Sequence, residues 1–200
     1  MAEQIKIGLV ADLHHALIHN GMQRLNQFLE AARKADVDFI MELGDFHILA
    51  YDDQTESGKH ARFTDRQIYN KFAFLRRFNS FEKPAYHTLG NHDADKTPHE
   101  EVLRLFGLSR GHYFLDIKGY RFIFCDTNYL RNEDGSYTHY SLENYVGREK
   151  DKDWLPPKQL AWLEQLVNGS TYPCIILSHQ SFEREADGVK NQAEVRRIFN

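Results

Sequence analysis

Long apolar runs are missing from this chain of 200 residues. Its apolar stretches fall far short of the roughly 20 residues that a bilayer-spanning helix needs. The start, Met1 to Lys6, carries no signal-peptide core. The expectation is therefore a soluble chain in a cytoplasmic setting, without a membrane partner. Cysteine is scarce: Cys125 and Cys174 are the two present, which excludes a disulfide-stapled scaffold. Both sit in apolar, strand-like runs and read as small buried hydrophobes in a reducing compartment. With 12 glycines and 5 prolines, collagen-like and proline-rich low-complexity architectures are also out. No internal repeat is present. A basic excess is absent too. The formal net charge of -4 argues against a surface that grips nucleic acid non-specifically, although a local cationic centre would not register in that total.

What is present is ordinary globular composition, 42% hydrophobic and 27% charged, enough for one domain over residues 1–200. Ile5 to Ala11 reads as a buried strand. Asn20, with Gln23 three residues on, reads as a helix N-cap, and Met22, Leu25, Phe28, Leu29 and Ala32 mark one helical face. Asp38 to Leu43 is a second strand, Asp65 to Phe78 a helix, Ala85 to Leu89 a third strand and Glu100 to Phe106 a short helix. Tyr113 to Ile117 and Tyr120 to Cys125 flank Lys118-Gly119, a hairpin turn. Asn128 to Asp153 is a long polar and aromatic surface excursion, in which Tyr129, Tyr137, Tyr140 and Tyr145 are read equally well as loop packing or as stacking groups. Pro156-Pro157 opens a helix with Leu160, Leu163 and Val167 on one face. Pro173 to Leu177 is a buried strand, and Gln192 to Phe199 an amphipathic helix. Strand–helix alternation followed by a hairpin predicts an α/β fold with mixed sheets and outer helices.

Acids and histidines end four of the apolar runs. Asp12 and His14 follow the first strand, Gly44-Asp45 the second, Gly90-Asn91-His92-Asp93 the third, and Ser178-His179 the last. Ligand sites in α/β sheets gather at the carboxyl ends of strands, so these loops are expected to converge. The donors are oxygen and imidazole with no thiolate, a set suited to Mn, Fe or Zn in a catalytic rather than a structural role. Two carboxylates against two divalent ions would leave surplus positive charge, able to draw in a phosphate and acidify a bound water. Each acid alone has a plain reading as a turn former. The ordered set is what speaks for chemistry.

In that order, Asp12-Leu13-His14, Gly44-Asp45, Gly90-Asn91-His92-Asp93 and His179 resemble the first four blocks of the calcineurin-like metallophosphoesterases, from residue 5 to about residue 180. The resemblance implies two packed mixed β-sheets flanked by α-helices, a four-layer α/β/β/α sandwich. It implies a binuclear metal centre, with Asp12, His14 and Asp45 at one ion and Asp45, Asn91 and His179 at the other. His92 is then the residue that stabilises the transition state or protonates the leaving oxygen. Asp93 reads either as an orienting partner or as a turn-forming acid, and His15 and His47, beside ligand positions, are candidates to line the pocket. The family's later Gly-His-x-His block does not occur after His179, so the expectation is a domain incomplete at its C-terminus with metal occupancy reduced accordingly. The function implied is hydrolysis of a phosphomonoester or phosphodiester of a small molecule by a metal-activated hydroxide. The alternatives are a non-catalytic metal- or ligand-binding module of the same fold and a nuclease of the same superfamily. His19, His60, His87, His99, His112 and His139 carry no motif and are read as structural.

Overall fold

The computed structural model describes residues 4–14, 20–46, 65–95, 97–184 and 188–199, with the backbone alone described for 65–71. Strands β1 (Ile7–Val10), β2 (Phe39–Leu43) and β3 (Ala85–Thr88) form one sheet in the order β1-β2-β3. Both pairings are parallel, with Val10 opposite Glu42 and Leu43 opposite Thr88. Helix α1 (Gly21–Ala35) links β1 to β2, and α2 (Asp65–Asn79) precedes β3. The second sheet has the order β4-β5-β8. Its strands β4 (Tyr113–Ile117) and β5 (Tyr120–Phe124) form the hairpin around Lys118-Gly119, and β8 (Cys174–Leu177) lies parallel to β5. The expected mixed character thus belongs to this sheet, while the first is wholly parallel among the described residues.

Side-chain alternation along the strands sorts the apolar residues into three layers. Phe39 and Met41 of β2 meet Phe122 and Phe124 of β5 and Leu177 of β8 between the sheets. Phe39 and Phe122 pack edge to face at 5.3 Å. The alternate residue Ile40 faces the other way, toward Leu25 and Leu29 of α1, Phe74 and Phe78 of α2, and Val102 and Phe106 of α3 (His99–Phe106). On the far side, Ile123, Cys125 and Ile176 pack under α4 (Pro157–Asn168) and α5 (Gln192–Phe199), through Leu163 and Val195. The result is the four-layer α/β/β/α sandwich. Each helix buries one stripe because its apolar residues recur at three- and four-residue spacing; in α1 these are Leu25, Leu29 and Ala32.

Two local expectations are revised. Asn20 makes no side-chain capping bond; it sits in the left-handed region at φ 65°, and its carbonyl accepts from Arg24. The stretch 128–153 is only partly a surface excursion. It contains an antiparallel hairpin of β6 (Tyr129–Arg131) and β7 (Tyr137–His139), and it buries Tyr140 completely. Both cysteines are free thiols, and Cys125 is fully buried. No helix among the described residues is long and apolar enough to cross a membrane.

Because Phe122 has no exposed surface and sits between the two sheets, Phe122→Ala should cost about 3–5 kcal/mol, the range for a large aromatic removed from a packed core. Chemical denaturation measures this; a loss below about 1 kcal/mol would show that the sheets do not rely on that contact.

Candidate metal centre

The parallel register places the ends of β1, β2 and β3 side by side, and backbone bonds carry the alignment past the strands. Asp12 N–H donates to Gly44 O at 3.1 Å, and His14 N–H to Asp45 O at 3.0 Å. The loops then turn sharply. Asp12, His14 and Asp45 all adopt left-handed backbone, at φ 54°, 40° and 53°. Such strain in non-glycine residues persists where surrounding structure enforces it, most often at functional sites. Gly44, at φ 90°, and Gly90 allow the β2 and β3 loops to touch: a Cβ on Gly90 would lie 2.1 Å from Asp45 N. Any side chain there would push the two loops apart.

Asp45 is the centre of the arrangement. It is 3% exposed, and its two oxygens are used differently. Oδ1 accepts the His92 backbone N–H at 2.8 Å. Oδ2 lies 3.3 Å from His179 Nε2 and 3.7 Å from His14 Nε2. His14 Nε2 is also 3.5 Å from Asp12 Oδ1. The two His14 separations are too long for good hydrogen bonds, and the His179 contact sits at the long end of their range. They match donors arranged around a shared ion, since ligands at about 2.1 Å and angles of about 90–120° stand roughly 3.0–3.6 Å apart. One ligand atom from each of Asp12, His14 and Asp45 falls within 4.8 Å of the others. On spacing and donor chemistry alike, these residues fit a divalent transition ion. His179 Nδ1 donates to Leu43 O at 2.8 Å, which fixes the ring and leaves Nε2 toward Asp45. Burial alone would raise the Asp45 carboxyl, but the hydrogen bond and charge of His179 outweigh it and hold it below the usual carboxylate range. Conversely, burial opposes the His179 imidazolium, and Asp45 overcomes this to push it up to about 9.

The remaining residues of the third loop serve distinct ends. Asp93, fully buried, accepts both Asp45 N–H (3.0 Å) and Gly90 N–H (2.8 Å), pinning the β2 and β3 loops to one carboxylate. Asn91 lines a cleft of about 360 Å³ together with Asp12, Tyr145, Lys152, Asp153, His179, Gln180, Ser181 and Arg184. Its Nδ2 lies 3.5 Å from the Tyr145 hydroxyl. His92 stands edge-on to His14 at 5.5 Å. Its Nδ1 is 2.7 Å from Asp95 Oδ2, and that hydrogen bond raises the imidazole above its ordinary value. His15 and His47 lie outside the described residues.

Several polar residues around the centre were not visible as motifs. Asn128 Nδ2 donates to Leu89 O at 2.8 Å and its Oδ1 accepts from Gln180 Nε2 at 3.0 Å, tying the ends of β3, β5 and β8. Asp126 pairs with His139 at 2.6 Å. Behind Gly44, the buried Glu42 accepts Gly44 N–H at 2.8 Å through Oε2 and meets His87 Nδ1 at 3.1 Å through Oε1. His87 Nε2 is 2.8 Å from Asn79 Oδ1 and so donates there, which makes Nδ1 an acceptor and Glu42 the donor of the shared proton. Burial drives both groups to their neutral forms, Glu42 up to about 8 and His87 down to about 3.

A four-layer α/β/β/α sandwich with carboxylate and imidazole donors gathered at the strand ends of both sheets defines a metal-dependent phosphoester hydrolase class. The chain belongs to the calcineurin-like phosphoesterase family, whose model matches residues 5–200. Among solved structures it is similar to a dimetal phosphatase from Danio rerio, at 16% identity and a TM-score of 0.71, covering 98% of this chain and 77% of that one. It is also similar to a protein from Thermus thermophilus at 16% identity and a TM-score of 0.52, with the same coverage of 98% and 77%. At that identity the likeness concerns the fold. No curated protein sequence matches the chain.

The Glu42–His87 pair gives the fold a pH signature. Glu42 binds its proton more tightly folded than unfolded, so its contribution is complete below its ordinary 4.5 and is lost as pH rises through about 8. His87 binds its proton less tightly folded, so its contribution is present above its ordinary 6.5 and is lost as pH falls through about 3. Between pH 4.5 and 6.5 the two slopes oppose one another, and from 6.5 to about 8 only the Glu42 slope remains. Glu42→Gln keeps an acceptor for Gly44 and a permanent donor for His87. Its thermal midpoint should therefore fall less than that of the unaltered protein between pH 6.5 and 8. Parallel midpoint curves would refute the neutral-acid assignment.

Proposed function

We propose that this chain hydrolyses a phosphomonoester or phosphodiester of a small molecule at two divalent transition ions. Asp12, His14 and Asp45 hold one ion, and Asp45, Asn91 and His179 hold the other. The observation that carries the reading is the division of labour on Asp45: Oδ1 is tied to His92 N–H, while Oδ2 faces the imidazoles of both His14 and His179. A carboxylate oxygen between two separate imidazole donors is placed to serve two ions at once.

When bound, such ions polarise a phosphoryl oxygen and lower the pKa of water. The protein's own residues supply the rest. Asp45 and Asp12 bring the negative charge that draws cations to the strand ends, and His14, His179 and Asn91 add donor atoms without further negative charge. The Leu43 carbonyl keeps His179 in the tautomer that leaves Nε2 free to ligate. His92, next in the chain to the cleft-lining Asn91 and fixed through Nδ1, presents Nε2 as a proton donor to the departing oxygen. Lys152 and Arg184 in the same lining give the cleft cationic groups toward an anionic substrate, and its volume of about 360 Å³ suits a small molecule.

Two substitutions test these roles. Asp45→Asn removes the bridging charge, so both ions should weaken together, by more than the roughly 10–100-fold seen when only an outer partner of a ligand is lost. Metal analysis after equilibration with Mn²⁺ decides this, and retention of one full equivalent with loss of the other counts against a bridge. His92→Ala should leave metal content intact while turnover of p-nitrophenyl or bis-p-nitrophenyl phosphate falls less than turnover of esters with poorer leaving groups, where the loss should reach about 100-fold. Unchanged turnover on every ester, or lost metal, removes the proton-donor role.

A further inference from the structure

His92 is held from a direction that the ligand loops do not supply. Asp95 is buried, and both of its carboxylate oxygens are occupied: Oδ2 lies 2.7 Å from His92 Nδ1, and Oδ1 accepts the Tyr145 hydroxyl at 2.6 Å. Tyr145 comes from a turn 50 residues further along the chain. That turn is fastened to the Asp95 segment by its backbone, since Leu142 N–H is shared between Ala94 O (3.1 Å) and Thr97 O (3.3 Å). Leu142 and Glu143 take left-handed conformations there, at φ 51° and 60°. The Tyr145 ring stacks on Tyr140 at 4.5 Å. Tyr140 is itself fully buried, with its hydroxyl donating to Asp153 Oδ1 (2.8 Å) and accepting Asp153 N–H (2.7 Å). The tyrosine is therefore anchored on its far side before it reaches the carboxylate.

From this geometry we infer that Asp95 and Tyr145 are positioning residues for the reaction, a clamp that fixes the tautomer and orientation of His92 so that Nε2 alone carries the transferable proton; the inference rests on the role proposed for His92. Asp95 accepts the Tyr145 hydroxyl at Oδ1, and accepting at Oδ2 as well places the hydrogen of the second bond on His92 Nδ1. Tyr145 occupies the second oxygen, and the carboxylate then has no freedom to swing away from the imidazole. In the step itself, a water oxygen forms a new bond to phosphorus and gives up its proton to solvent, while the bond between phosphorus and the departing oxygen breaks with its electron pair left on that oxygen. The proton on His92 Nε2 moves to the oxygen, and the imidazole afterwards regains a proton from water. A donor serves most where the departing oxygen is most basic. An alcohol therefore depends on His92 heavily, whereas p-nitrophenol, a stable anion, leaves almost unaided.

That dependence separates a positioning role from a simple loop staple. The unaltered protein, His92→Ala, Asp95→Asn and Tyr145→Phe are compared with saturating Mn²⁺ on matched mono- and diester series of p-nitrophenol, phenol and ethanol, with kcat, KM and bound metal measured for each. Asp95→Asn should lower kcat on the ethyl esters by about 100-fold, the scale of a positioned proton donor. Its kcat on the p-nitrophenyl esters should fall much less, with KM and metal content unchanged. Tyr145→Phe should show the same gradient with smaller amplitude. Equal loss on every leaving group, raised KM alone or lost metal for Asp95→Asn overturns the clamp. If His92→Ala shows the gradient and Asp95→Asn does not, the clamp fails while the proton-donor role stands. If His92→Ala lacks the gradient, or the unaltered protein turns over none of the probes, both fall together.

Discussion

A buried carboxylate held between two histidines is the constraint around which this molecule is arranged. Asp45 is almost wholly removed from water, a costly state for an anion unless positive charge and hydrogen bonds surround it. The fold supplies these from two directions, His179 from the second sheet and the His92 amide from the third loop, while the His14 ring, from the first loop, stands 3.7 Å away. Each contact fixes one strand end relative to another. The demand of a single side chain thereby aligns two sheets that otherwise meet chiefly through apolar packing.

The sheets answer this demand by register. In a parallel pair, moving a strand by one residue turns its inward face outward, and here it would also carry Asp45 away from Gly90. The apolar alternation of Phe39, Ile40 and Met41 therefore sets both the core and the site. Behind the turn, Glu42 breaks that apolar pattern with a buried acid, and its contact with Gly44 N–H shows why: it reaches forward to shape the turn on which Asp45 sits. The strand and the ligand loop are thus coupled by a group that belongs to the strand.

What could be read in advance follows from locality. Asp12, His14, Asp45, Asn91 and His179 each stand just after an apolar run, so a strand-end position was visible from neighbouring residues. The Lys118-Gly119 turn was equally plain, and both residues take left-handed backbone, φ 49° and 80°. The helix faces showed through their spacing. The polar network behind the site was not visible, because its partners are distant in the chain: Glu42 and His87 are separated by 45 residues, Asp95 and Tyr145 by 50. His87 and His139 carry no local motif, and nothing beside them announces the buried acid each one meets. Tyr145 was one of several loop tyrosines with no feature to set it apart from Tyr129 or Tyr137. Asn20 misled for a related reason: the residue type suits a side-chain cap, but its left-handed backbone serves the helix start by another route.

Asp93 binds the amides of both Gly90 and Asp45 with one carboxylate, so the ligand loops are fastened to each other by the protein itself. In small zinc-folded domains the ion is the fastener, and withdrawing it unfolds the chain. Here the joint is a carboxylate of the chain itself, so an ion at the strand ends would have no fastening to do.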